Sequence, residues 1–176
     1  MRIIYFIGVA VSIFLATIMF ERAVLSLISE VSGRIGGDFS GAGVRAAVAA
    51  IVEEIGRWSI FLWGLVSLRR VGLVVCLYAT LFIIAELTGA GFQTHRAFPD
   101  IGLLNYLILL FFIRLPGTTL NIVNSTIVIV AKRKFCDDRW RIIILISVTI
   151  FLHFSLDYMS IIYGKNYLSF FGSLFR

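Results

Sequence analysis

Polar and charged residues in this chain gather into short clusters between long apolar runs, several of them long enough to cross a hydrocarbon core of ~30 Å, which takes about 20 helical residues. The first run, residues 3–20, follows Met1-Arg2 and has no clear small-residue cleavage site before Glu21-Arg22, so a retained anchor is expected. A connector with Gly, Ser and scattered charges covers residues 21–43, and its first half is expected to lie as an amphipathic helix in the membrane interface. The second run extends from about Val44 to Leu68 and ends at Arg69-Arg70. The third reaches from Val71 to about Gly91, ahead of the polar stretch FQTHRAFPD. Residues 101–131 form a longer apolar segment with Arg114 and Pro116 at its centre, where proline predicts a kink or break. The basic cluster KRKFCDDRWR, residues 132–141, leads into the last run, residues 141–163.

These runs predict an all-α, polytopic membrane bundle in one domain, residues 1–176. Lys and Arg concentrate on the cytoplasmic side of spans, which places both Arg69-Arg70 and the 132–141 loop there. An even number of crossings must then separate them. The third run supplies one, so residues 101–131 supply another, as a broken helix near Pro116 or as an interfacial piece followed by a short span. The count is five spans, with six as the alternative.

Composition agrees with that reading, because a chain of 176 residues that is 60% hydrophobic, with mean hydropathy +0.98, does not describe a soluble domain. Membrane lipid is the expected surrounding partner. The net charge of +6 sits in clusters between spans rather than on one polar surface, which argues against a nucleic-acid partner and for topology signals. The 132–141 cluster is expected to anchor the topology and to attract anionic lipid. Cys76 and Cys136 have neither metal-binding spacing nor a disulfide framework. His95 reads as a solvated loop residue, the three tryptophans as interface or packing residues, and no Gly-x-Ser-x-Gly elbow supports a serine hydrolase.

Ionisable groups inside the runs change the picture, since each costs at least ~2.5 kcal/mol at the bilayer centre on insertion scales. At ~1.5 Å per residue, Glu54 lies ~22 Å above Arg69, Glu86 ~24 Å above Arg70, Asn121 ~18 Å above Arg133 and His153 ~18 Å above Arg141. Three runs thus carry polar groups to similar depth, and Glu86 on a fourth can join them from the outer side. His153 and Asp157 are four residues apart on one helix face, where a carboxylate can orient an imidazole. Arg57 is within pairing reach of Glu53 or Glu54, and the two acids point about 100° apart, so one can pair while the other faces a shared site. Burial suits such a carboxylate to accept a proton from water, and a nearby His or Asn can steady the oxyanion that forms. Asn121 and Asn124, three residues apart, can equally serve as a contact to a neighbouring helix.

In this order the motifs EExxR (Glu53, Glu54, Arg57), FxxxE (Phe82, Glu86) and HxxxD (His153, Asp157), each on its own run, resemble the PrsW family of membrane proteases, related to the CAAX-processing and bacteriocin-processing (CPBP) proteases. The resemblance covers roughly residues 45–160 in motif order. It implies a membrane-embedded endopeptidase of the bacterial inner membrane acting on a membrane-protein or peptide substrate, with Glu53, Glu54, Glu86, His153 and Asp157 at the catalytic site and Arg57 and Asn121 supporting it. No cofactor is required for glutamate-activated water, although a divalent metal has been considered for this group. Arg57 stands where the family pattern usually has lysine, and Asn121 where a histidine is expected, which weakens a metal site more than an oxyanion-donor role. The alternative from another class is a non-enzymatic membrane subunit, scaffold or degenerate relative that uses the same charges for helix association. A proton-coupled transporter is disfavoured by the few spans and the absence of a repeat.

Overall fold

A computed structural model of the chain describes residues 2–35, 41–62, 68–100, 102–135 and 137–174. The expected connector around residues 36–40, the end of the second run at residues 63–67 with Trp63, the Arg69 side chain and Cys136 lie outside the described residues. All regular structure among the described residues is helical: α1 (Arg2–Ile35), α2 (Ala42–Leu62), α3 (Leu68–Ala97), α4 (Leu103–Lys134) and α5 (Arg139–Leu174). Stretches of α1, α3, α4 and α5 are long and apolar enough to cross a membrane. The chain is therefore an integral membrane protein with an all-α bundle, as helices that satisfy their own backbone require in lipid.

Three expectations need correction. The interfacial helix expected after residue 20 is a continuation of α1, which runs through to Ile35 without interruption. No glycine or proline stands between Val9 and Ser32 to stop it, so backbone hydrogen bonding simply propagates. The break expected at Pro116 is also absent, since α4 is one helix from Leu103 to Lys134. Proline removes one donor, to the Phe112 carbonyl, but a spanning helix has no competing water to exploit the loss. Helix α3 likewise continues to Ala97, so His95 is exposed on a helical turn rather than in a loop.

Helix α2, which carries the charges, packs against each of the other four helices. Its buried face holds Ala46, Ala50, Glu53, Glu54, Arg57, Trp58 and Phe61, while Ile51 and Ile55 point outward. Below the level of the charges an apolar core assembles from Trp58, Ile60 and Phe61 of α2, Val71, Val74, Val75 and Tyr78 of α3, Phe6 and Ala10 of α1, and Val128 and Ala131 of α4. Aromatic edges close it, with the rings of Phe14 and Phe82 4.9 Å apart and those of Tyr78 and Phe82 4.8 Å apart.

Close approach of three helices depends on Gly56. A Cβ there would collide with the Thr17 hydroxyl of α1 and lie 2.5 Å from the Tyr78 hydroxyl of α3. Tyr78 donates from that hydroxyl to the Glu53 carbonyl at 3.0 Å, so the contact also fixes the height of α2. Gly56→Ala should destabilise the bundle by roughly 1–3 kcal/mol through overpacking. Thermal unfolding in detergent should show this as a lowered midpoint, partly recovered when Thr17→Ala is added; an unchanged midpoint for the single variant would mean the helices are not this close.

Candidate functional site

Above the apolar core, one carboxylate oxygen organises a polar cluster drawn from four helices. Glu54 Oε1 accepts from Arg57 Nη1 at 2.7 Å and from Asn124 Nδ2 at 2.9 Å, and faces His153 Nδ1 at 2.9 Å. Glu54 and Arg57 have fully buried side chains. The other arm of the guanidinium donates from Nη2 to Asn121 Oδ1, and the Asn121 amide donates at 3.3 Å both to Glu86 Oε1 and to the Gly117 carbonyl. Arg57 thus sits between a carboxylate of its own helix and an amide of α4, a bridging geometry that suits the planar guanidinium.

Glu53 takes a different partner. Its Oε2 lies 3.4 Å from His153 Nε2, and Asp157 Oδ2 lies 3.5 Å from the same nitrogen. The Glu53 and Asp157 side chains are 12% and 30% exposed, so this side of the cluster is the open one. Glu53 Oε2 accepts no hydrogen bond, and Glu54 Oε2, Glu86 Oε2 and Arg57 Nε are likewise buried without hydrogen-bond partners among the described residues. Such groups are costly to leave unmade, and buried water is their usual partner.

The structure therefore brings Glu53, Glu54, Arg57, Glu86, Asn121, His153 and Asp157 into one connected cluster. The two acids divide as their 100° separation implies, Glu54 to Arg57 and Glu53 to the histidine. Both ends of the Asn121 side chain are engaged, by Arg57, Glu86 and the Gly117 carbonyl, in the way expected of a contact between helices. Asn124, expected only as a helix contact, is a direct partner of Glu54 and also donates to the Thr149 carbonyl at 3.4 Å.

Several participants were not singled out from the sequence. Thr149 accepts from Trp58 Nε1 at 3.0 Å, and Thr149, His153 and Asp157 form a stripe at spacings of four on α5. Tyr78, Phe82 and Glu86 repeat that spacing on α3, so extending HxxxD and FxxxE one turn backward would have found both. Glu21, one turn beyond Thr17 on α1, is within electrostatic reach of His153 and Glu53. Arg114, two turns before Asn121, is within reach of Asp157.

The donor set does not fit a metal. Among the described residues no group of three or more His, Cys, Asp or Glu side chains is arranged to hold an ion, and Glu54 Oε1 already takes Arg57 and Asn124 as hydrogen-bond donors. Comparison with family models, with curated proteins and with solved structures finds no match to this chain.

Breaking one side of the buried pair should cost more than removing both. Arg57→Met leaves Glu54 without its cation and should destabilise by about 3–5 kcal/mol. The double variant Glu54→Gln, Arg57→Met should lose less than the sum of the singles, measured by denaturation in detergent. Simple additivity would mean that the two side chains do not pair.

Proposed function

We propose that this protein is a membrane-embedded endopeptidase of PrsW/CPBP type, in which Glu53 activates water to hydrolyse a peptide bond in or near the membrane. The observation that carries this reading is the division of labour between adjacent acids: Glu54 is locked by Arg57 and Asn124, while Glu53 faces His153 with a buried oxygen that accepts no hydrogen bond, beside the partly exposed Asp157. Motif order supplies the second support.

In this mechanism Glu53 takes a proton from water, and the hydroxide formed attacks the scissile carbonyl carbon. His153 donates from Nε2 toward the oxyanion, held in place by Glu54 at Nδ1 and by Asp157 beside Nε2. Collapse of the tetrahedral intermediate breaks the C–N bond, and the proton held by Glu53 passes to the leaving nitrogen, giving a carboxylic acid and an amine that then exchange a proton to become carboxylate and ammonium. Glu54, Arg57, Asn121 and Glu86 are positioning residues that act through His153 and through the height of α2. No step is routed through a metal.

In the same reading α2 is a fifth crossing. Four neighbouring helices shield its charges, and Ile51 and Ile55 face lipid. Arg70 and the 132–141 cluster lie on the cytoplasmic side by the positive-inside rule, and the family resemblance supports a bacterial inner membrane.

A second reading, helix association without catalysis, is favoured by one observation, the closed set of bonds joining Glu54, Arg57, Asn121 and Asn124. Purified protein in bilayer discs, incubated with a panel of fluorophore-labelled single-span peptides, separates the two. Cleavage of at least one peptide is expected, with rates lowered about 10²–10⁴-fold in Glu53→Gln and His153→Ala variants that retain the wild-type unfolding midpoint. No cleavage by the wild-type protein, or equal cleavage by Glu53→Gln, would leave the association reading standing.

A further inference from the structure

The turn between α4 and α5 stands apart from the polar cluster. It borders an open recess of about 770 Å³ lined by Arg133, Lys134, Arg139 and Trp140, with Asp137 and Asp138 also on its wall. Its basic residues fall into two sets. Lys132 is tied down, donating to the Phe61 carbonyl at 3.2 Å with its ammonium 4.8 Å over the Phe61 ring. Arg141 is tied down as well, 2.9 Å from Asp138 Oδ2 and stacked 5.2 Å over the Phe135 ring.

Arg133, Lys134 and Arg139 are exposed and have no partner among the described residues. Asp138 Oδ1 accepts from the Arg141 amide at 3.1 Å and caps the first turn of α5. Asp138 is neutralised by Arg141, so the unpaired charges around the recess are three cations against the single carboxylate of Asp137. Three free cations next to one exposed acid leave a net attraction for an anion.

Trp140 says which anion. Its ring is 77% exposed at the first turn of a helix apolar enough to span a membrane, the depth at which indole rings settle among lipid headgroups. An exposed indole at that position suits the headgroup layer of a membrane better than bulk water. We propose that Arg133, Lys134 and Arg139 hold the phosphate of an anionic phospholipid headgroup in this recess, with Trp140 lying against the glycerol region of the same lipid. Lys132 and Arg141 shape the turn and contribute little to the ligand.

The full chain in zwitterionic micelles, titrated with dioctanoyl phosphatidylglycerol, tests this. Saturable binding is expected, weakened about 10-fold or more in Arg133→Gln, Lys134→Gln, Arg139→Gln, given that each basic residue near an anionic surface typically contributes on the order of 1 kcal/mol. Asp137→Asn should bind more tightly than wild type, which keeps the test decisive if the triple variant fails to fold. Dioctanoyl phosphatidylcholine should show no saturable binding. Equal affinity for inorganic phosphate and phosphatidylglycerol would assign the site to a free anion and overturn the lipid assignment, as would a triple variant of wild-type unfolding midpoint that binds phosphatidylglycerol unchanged.

Discussion

One carboxylate oxygen holds three helices in register. Glu54 Oε1 meets a guanidinium from its own helix, an amide from α4 and an imidazole from α5 within 3 Å, all of it out of water. Such an arrangement tolerates little displacement, because a buried ion pair is favourable only when its geometry and its remaining hydrogen bonds are both good. The helix that carries it accordingly touches every other helix. The apolar core beneath supplies contact area, and the Glu54 cluster supplies the register in which that area is used.

From that register the chemistry of the neighbouring acid follows. With Glu54 fixed to Arg57, rotation of about 100° along the helix turns Glu53 toward α5, beside His153 and the partly exposed Asp157. Histidine bridges the two environments, one ring nitrogen against the locked acid and the other against the open pair. The result is an asymmetric pair of adjacent glutamates, one structural in its contacts and one available, produced by nothing more than helical geometry and a single arginine three residues later.

Much of this was legible along the chain. Polar groups at equal depth in EEIGR, FIIAE, TTLNIVN and HFSLD announced a shared level, and i, i+4 spacing announced the His153–Asp157 face. What could not be read was which amide would touch which acid, since Asn121 and Asn124 share a face and only the packing of α4 on α2 decides between them. The end of α1 was misread because the charges at Glu21-Arg22 look like an interface boundary, whereas helix propagation responds to breakers and not to charge. Pro116 does not break α4 because no water competes for the helix's remaining backbone bonds and neighbouring groups can re-satisfy the one carbonyl that proline frees. Thr149 and Tyr78 carried no motif of their own and became visible only as one more turn of stripes already noticed.

The length of α1 bears on the membrane itself. Its 34 residues rise about 51 Å, well beyond a hydrocarbon core of ~30 Å. The Glu30–Arg34 pair near its end is exposed. A helix this long must lean or project, and Gly56 pins its middle at Thr17 against α2 and α3. Phe6 and Ala10 seat its N-terminal half in the apolar core, so a change of bilayer thickness falls chiefly on the part of the helix beyond Thr17, while the acids beside Gly56 keep their spacing.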